Sequence, residues 1–187
     1  DTAYTLTATP LCSDGSTPAC NSESIVVGQR FGLPLCEDFS AAGSTLQPDG
    51  WEVIKHNDPR YPRLENGQYH MQPSGIAQAN NDMVALPAVP AGMSLGGLHL
   101  KMSVELENAG DAGYAYLELG YWSGSSFTEL IQLHNTAKRQ THYATLPATN
   151  GTRLAIRARS TYGIRNIYID SLQLTTYPEP QELRLTQ

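Results

Sequence analysis

The sequence is poor in charged residues, in cysteine and in long apolar segments. Lys, Arg, Asp and Glu make up 16% of the 187 residues, and the chain holds three Cys, three Phe and four Met. No apolar segment approaches the roughly 18 residues that a membrane-spanning helix needs, so we expect no membrane insertion. The net charge of −6 repels phosphate backbones, and nucleic acid is therefore not an expected partner.

The sequence also lacks the motifs that mark common enzyme chemistries. None of its five His lies in a His-Glu-x-x-His zinc motif, and there is no Walker loop or nucleophile elbow. The acidic residues are scattered, so the sequence does not single out a glycosidase carboxylate pair. We therefore predict a protein that is not an enzyme.

The strongest positive signal is an alternation of apolar and polar residues with period two. In residues 98–107 the apolar positions are Leu98, Leu100, Met102, Val104 and Leu106. This pattern is typical of a half-buried antiparallel strand. Residues 153–159 repeat it, with Leu154, Ile156 and Ala158 on the apolar face. Residues 128–139 come closest to an amphipathic helix, but 128–133 fits a strand equally well.

The last alternating segment, 167–174, changes phase within its length. Its apolar positions are Ile167, Ile169, Leu172 and Leu174. The slip of one residue predicts a bulge or bend near Asp170 and Ser171. Clusters of Gly, Asn and Ser separate the alternating segments, and strands divided by such turns indicate a β-sandwich.

The two ends of the chain differ from the middle. Residues 4–9 and 24–27 predict an N-terminal β-hairpin extension over 1–32. A lone hairpin is marginally stable in water, so it either packs on the main domain or belongs to another one. Residues 177–187 read as a Pro-containing linker and the start of a following strand.

The three cysteines favour an exported protein. Cys12 and Cys20 flank a turn and are eight residues apart, which would allow a local disulfide in an oxidising compartment. Cys36 is the odd cysteine, and we expect it to be buried and inert. The chain begins at Asp1 without Met and without a signal peptide, so we expect the mature or excised part of a longer protein.

Two motif regions together resemble a known family. Residues 33–51 contain Leu-Pro-Leu-Cys-Glu-Asp-Phe-Ser and then Pro-Asp-Gly-Trp, and residues 167–174 read Ile-Tyr-Ile-Asp-Ser-Leu-Gln-Leu. This order resembles the MAM-like jelly-roll modules of bacterial surface proteins and is similar to the cleaved-adhesin domains of gingipain-type proteases. The resemblance spans 33–176, and the segments on either side resemble partial fibronectin type III repeats.

The resemblance implies the fold and the setting. It implies an all-β jelly-roll β-sandwich of two antiparallel sheets, here with the N-terminal hairpin as an extension. It also implies a secreted or cell-surface bacterial location, and a monomeric module within a longer multidomain chain. The expected partner is a glycan or a host or cell-surface glycoprotein.

The resemblance further implies a structural Ca²⁺ where the first and last strands meet. Glu37, Asp38 and Asp170 occupy the matching motif positions. Ca²⁺ takes six to eight oxygen ligands. Ser40 and Ser171 stand where related modules often carry acidic or amide side chains, which lowers the number of oxygens. The alternative interpretation is that these carboxylates are ordinary strand residues paired with Arg or Lys.

A row of aromatic residues in 114–122 is the candidate ligand surface. The alternation places Tyr114, Tyr116, Glu118 and Trp122 on the outer face of a strand. Aromatic planes pack on the C–H face of a sugar, and a carboxylate accepts hydrogen bonds from its hydroxyls. Arg157 and Arg159 are expected on a neighbouring strand as donors. Tyrosines are also common on exposed strands for propensity and cross-strand pairing alone.

A second group of polar and aromatic residues follows the Gly-Trp signal. It fits either binding loops at one end of a sandwich or a surface crossover. Its members are Trp51, expected in the core, and His56, Asn57, Asp58, Arg60, Tyr61, Arg63 and Tyr69.

Two function classes follow from the sequence. One is a carbohydrate-binding or adhesin module, and the other is a structural spacer or protein-interaction domain without a small-molecule ligand. An exposed aromatic row favours the first, and a row covered by residues 1–30 favours the second.

Overall fold

The computed structural model describes residues 33–39, 47–48, 50–75, 81–107 and 115–176. The predictions for the N-terminal hairpin, Cys12, Cys20 and residues 177–187 lie outside these ranges. The described residues form strands and no helix, so none of them makes a helix able to cross a membrane. The strands are β1 (Leu35–Glu37), β2 (Glu52–Lys55), β3 (Arg63–Glu65), β4 (Gln68–Met71), β5 (Asp82–Ala88), β6 (His99–Leu106), β7 (Ala115–Trp122), β8 (Phe127–Leu133), β9 (Arg139–Thr145), β10 (Arg153–Ser160) and β11 (Ile167–Thr175).

These strands form two antiparallel sheets. The first sheet has the order β3-β4-β11-β6-β9, with β1 also paired to β11, and the second has the order β2-β5-β10-β7-β8. Only β3 with β4 and β7 with β8 are neighbours in both sheet and sequence; the other paired strands are distant in sequence, because the chain passes repeatedly from one sheet to the other. The protein is therefore an all-β jelly-roll sandwich, as predicted.

The core lies between the two sheets and follows the predicted alternation. In β6 half-buried and buried residues alternate without a break, and the buried ones include Leu100 and Met102. In β10 the side chains of Leu154, Ile156 and Ala158 are fully buried. The predicted bulge in β11 is also present, since its pairing with β6 shifts register between Ile169 and Ser171. A register shift lets both apolar pairs of β11 face the core.

Aromatic rings fill one part of the core. The ring centroid of Trp51 lies 5.8 Å from that of Phe39 and 5.1 Å from that of Tyr69. Trp51 is 7% exposed, which confirms its predicted place in the core. The two motif residues Phe39 and Trp51 thus pack against each other. Their contact attaches the segment after β1 to the hydrophobic core.

The Asp82 carboxylate is one of two that are buried among the described residues. Asp82 is fully buried and accepts hydrogen bonds from the backbone N–H groups of Asn57, at 2.7 Å, and Gln72. Burial raises the pKa of Asp82, and the two backbone bonds act against that rise. The carboxylate thereby satisfies two backbone donors and ties the chain after β2 and after β4 to the start of β5.

Candidate functional site

The candidate site is the outer face of the second sheet, formed by the side chains of β10, β7 and β8 that point away from the core. The register of these strands sets its centre, because Arg157 lies opposite Glu118 and Arg159 lies opposite Tyr116. On the other side of β7, Trp122 lies opposite Phe127. Five of the six residues predicted for ligand binding therefore share one face. The sixth, Tyr114, lies outside the described residues.

A carboxylate held by two guanidinium groups forms the centre of this face. The Arg157 Nε donates to Glu118 Oε2, and the Arg159 Nη1 donates to Glu118 Oε1 at 2.9 Å. The Arg157 Nη2 lies 3.9 Å from Glu129 Oε2, beyond hydrogen-bond distance. Burial, the largest single effect, lowers the pKa of Arg159, but the hydrogen bond to Glu118 and the charges of Glu118, Tyr116 and Glu129 together outweigh it, so the net shift is upward and the guanidinium stays charged.

An aromatic ring packs against each of the two guanidinium groups. The Arg157 Cζ lies 4.2 Å from the centroid of the Phe127 ring, and the Arg159 Cζ lies 5.5 Å from that of Tyr116. Both distances are within the range of a cation–π interaction. The His134 ring lies 5.6 Å from the Tyr116 ring. The arginines are therefore fixed from two directions, by the carboxylate and by the rings.

Gly120 lies between Glu118 and Trp122 on this face. A Cβ at this position would overlap the carbonyl of Thr128 and would lie 2.7 Å from the Phe127 ring. The absent side chain leaves room for Phe127 to reach across β7 toward Arg157. Glycine is thus required here for a close approach and not for its backbone angles.

The accessibility of the face differs from the prediction. Tyr116 is 8% exposed and Glu118 is 1% exposed, so the expected exposed row of aromatics beside a carboxylate is wrong. The physical reason is that Arg157 and Arg159 cross from β10 to bind the carboxylate and lie against it. The groups open to a ligand include the two guanidiniums, with side chains 24% and 36% exposed, and the half-buried Trp122, beside the exposed Glu129 and His134.

Several residues of this face were not predicted from the sequence. Phe127 and Glu129 reach it from β8, and His134 follows directly after that strand. Residues 128–133 fitted a strand as well as a helix, and no signal assigned this segment as the neighbour of β7. The role of Phe127 depends on that pairing and could not be read from its own segment.

The residues predicted to bind calcium do not converge. Glu37 ends β1 and lies opposite Leu172, and Asp170 lies at the β11 bulge. Among the described residues, no three His, Cys, Asp or Glu side chains form a group that could hold a metal. The Asp170 carboxylate lies 3.2 Å from Arg139 and accepts a hydrogen bond from Ser103 at 3.1 Å. Glu37, Asp38 and Asp170 as arranged therefore do not fit Ca²⁺, and calcium binding stays a prediction.

The polar and aromatic residues that follow the Gly-Trp signal do not form one cluster. Some lie in the core, and others lie on the first sheet. Trp51 and Tyr69 lie in the core. Tyr61 packs edge-on against His70, with ring centroids 4.5 Å apart, and Arg63 lies 4.9 Å above the Tyr61 ring. These contacts belong to the first sheet, on the other side of the molecule from the candidate site.

Cys36 lies in β1 and is half-buried, opposite Gln173 of β11. The expectation that Cys36 is buried is therefore wrong, since its side chain is only partly covered. β1 pairs β11, and the Cys36 side chain is not enclosed between the sheets.

No protein-family model and no curated protein matches the sequence. Solved structures do match. A cleaved adhesin domain of Lys-gingipain from Porphyromonas gingivalis is 17% identical, with a TM-score of 0.51, and the match covers 79% of this chain and all of that one, 100%. A mutant of a family 29 carbohydrate-binding module, made to probe ligand recognition, is 14% identical with a TM-score of 0.56, over 80% of this chain and 100% of that one.

A third structure comes from work on endo-acting O-glycanases of the human gut microbiota that initiate mucin breakdown. It is 9% identical with a TM-score of 0.50, and the match covers 77% of this chain and 99% of that one. Identities this low show the fold and not the ligand. The chain thus shares its β-sandwich fold with gingipain adhesin domains and with family 29 carbohydrate-binding modules.

Proposed function

We propose that the chain is a non-catalytic carbohydrate-binding or adhesin module of a secreted or surface multidomain bacterial protein. In this proposal it binds glycan through the outer face of the second sheet. The observation that carries the proposal is the pair Arg157 and Arg159, fixed between a buried carboxylate and aromatic rings on that face. The shared fold with carbohydrate-binding modules supports it.

The chemistry of the face suits hydroxyl groups. Glu118 uses both carboxylate oxygens on the arginines, so it orients them and does not meet the ligand itself. Each guanidinium has five N–H donors and keeps some for a ligand. Since their planes are fixed before binding, little side-chain entropy is lost when a sugar hydroxyl accepts from them. Trp122 adds a ring that can pack on the C–H face of the sugar.

A glycan array tests the proposal. The wild-type protein should bind at least one glycan, and Trp122→Ala and Arg159→Ala should each reduce that signal strongly. Tyr143→Ala is the matched control, because Tyr143 is 64% exposed on the first sheet, away from the site. Binding that survives both site variants, or a folded wild-type protein that binds no glycan, would contradict the proposal.

The second candidate function is a structural spacer or protein-interaction domain without a small-molecule ligand. The burial of Tyr116 and Glu118 favours it, because a fully satisfied ion cluster also serves to fix strand pairing. In that case the array stays silent, while replacement of Glu118 still destabilises the fold.

A further inference from the structure

A polar cleft lies on the outer face of the first sheet, on the other side of the sandwich from the proposed glycan face. Its volume is about 310 Å³, at the small end of the range for small-molecule sites. Side chains from β4, β6 and β11 and from the loops beside them meet there. The lining includes Gln68, Glu105, Glu107, Lys138, Asn166 and Tyr168.

A chain of hydrogen bonds fixes Asn166 and Glu107, two of the residues that line the cleft. His70 Nδ1 lies 2.6 Å from Glu65 Oε2, and His70 Nε2 lies 2.9 Å from the Asn166 Oδ1. The Asn166 Nδ2 then donates to Glu107 Oε2 at 2.8 Å, and the Asn166 backbone N–H donates to the same oxygen at 2.9 Å. His70 is buried, so the chain starts inside the protein and ends at a carboxylate that lines the cleft. Polar groups fixed in this way bind with little loss of entropy.

An aromatic ring borders the same cleft. The Tyr168 ring stacks on the His70 ring, with centroids 4.3 Å apart and planes at 26°. His70 therefore covers one face of the Tyr168 ring. The rest of the half-buried Tyr168 side chain lines the cleft. A ring beside amide and carboxylate groups is the combination that a sugar needs.

One of the two carboxylates that line the cleft is paired with cations. Glu105 pairs with Lys138 at 2.9 Å and with Arg139 at 2.7 Å. The bonds from Lys138 and then Arg139 lower the pKa of Glu105, so it is ionised at neutral pH and already matched. The Glu107 carboxylate is bound by two neutral N–H groups of Asn166, which hold it in place but carry no counter-charge. A carboxylate of this kind disfavours an anionic ligand and offers an acceptor to one rich in hydroxyl groups.

We propose that this cleft is a second saccharide site, for an uncharged terminal sugar residue of a glycan. Its hydroxyls would accept from Lys138 and from the amides of Gln68 and Asn166, and would donate to Glu107. The small volume suits the end of a glycan and not a stretch of polymer. This site does not depend on the proposed function of the second sheet, and each can fail without the other.

The test is an NMR titration of the ¹⁵N-labelled protein with the methyl glycosides of galactose, glucose, mannose, fucose, N-acetylglucosamine and N-acetylgalactosamine. We expect at least one of them to shift the side-chain amide signals of Gln68 and Asn166 in a saturable way. Lys138→Ala should weaken that response about fivefold or more, which corresponds to the loss of one hydrogen bond to a charged donor. The Lys138 side chain is 74% exposed, so this variant is expected to fold.

Two controls separate the outcomes. Lys101→Ala removes a different lysine, which lies on β6 and on the same outer face of the first sheet. It should leave the response unchanged. Trp122→Ala should also leave it unchanged, which separates this site from the one on the second sheet. No saturable shift with any of the six glycosides would overturn the proposal. So would shifts confined to the second sheet.

Discussion

At the scale of single residues, Glu118 is the most constrained side chain of the candidate site. It is 1% exposed, and both of its carboxylate oxygens are bound by arginines. A buried ion is tolerated only where it is paired and hydrogen-bonded. The arginine side chains are 24% and 36% exposed, so solvent screens part of the interaction. Removing the carboxylate charge therefore costs less than it would in a dry core.

We expect Glu118→Gln to lower the free energy of unfolding by about 1 to 3 kcal/mol, because the amide keeps the shape but removes the negative charge that the two guanidiniums share. Glu129→Gln is the matched control. Its carboxylate is 46% exposed and lies 3.9 Å from Arg157, so the change should stay within about 0.5 kcal/mol. Urea denaturation of the two variants measures both values. Equal losses of stability would show that Glu118 is not the centre of the cluster.

At the scale of strands, much of the fold could be predicted because alternation has one physical cause. Each sheet faces the core on one side, so β6 and β10 carry apolar residues at every second position. The phase change in 167–174 likewise predicted the register shift between Ile169 and Ser171. The short strands β1, β3 and β4 could not be predicted in this way, since three or four residues are too few to show a period.

The pairing of β7 with β8 gives a prediction about Gly120. A methyl group there overlaps the Thr128 carbonyl and the Phe127 ring, so β8 must shift. We expect Gly120→Ala to destabilise the protein by about 1 to 3 kcal/mol, the usual cost of added volume at a tight contact.

The control for Gly120→Ala is Ser125→Ala, at an exposed position in the turn between the same two strands. It should change stability by less than about 0.5 kcal/mol. Thermal denaturation followed by circular dichroism measures both variants. A Gly120→Ala protein as stable as the wild type would contradict the close approach of β8 to β7.

The pairing of β6 with β9 gives a prediction about pH. Hydrogen bonds from Lys138 and then Arg139 hold the pKa of Glu105 below its ordinary value of 4.5. A carboxyl group whose pKa is lower in the folded state binds fewer protons there than in the unfolded state. Its contribution to stability is therefore complete above the unfolded value and is lost as the pH falls through the folded value.

We accordingly expect wild-type protein to be more stable than Glu105→Gln at pH 7, with the difference shrinking between about pH 5 and pH 3. Urea denaturation of both proteins at several pH values measures the difference. A gap that stays constant down to pH 3 would show that the Glu105 carboxylate is not linked to folding through its charge.

At the scale of the whole molecule, the sequence predicted which face of the sheet carries the candidate residues, but not how far those residues are buried. Alternation placed Tyr116, Glu118 and Trp122 on an outer face, and the structure has them there. Their exposure depends on which strand lies beside β7, and a segment does not encode its neighbours. Arg157 and Arg159 cover Glu118 because β10 pairs with β7 in one particular register. That long-range pairing turns an expected aromatic row into an arginine face supported by rings.

The sandwich presents two outer faces of different character. The second sheet carries arginines fixed over aromatic rings, and the first carries the polar cleft beside Tyr168. If both bind sugar, a single module has two sites that point in opposite directions and can bridge two glycan chains. Multivalent binding of that kind increases overall avidity without any new contact.

Isothermal titration calorimetry with the strongest glycan from the array tests the central claim, that glycan binds the arginine face of the second sheet. Wild-type protein should give a saturable heat of binding. Arg159→Lys keeps the charge but loses the planar fork of donors, and we expect it to weaken affinity about tenfold. Tyr143→Ala should match the wild type. No saturable binding by the folded wild-type protein, or an Arg159→Lys affinity equal to that of the wild type, would contradict the claim.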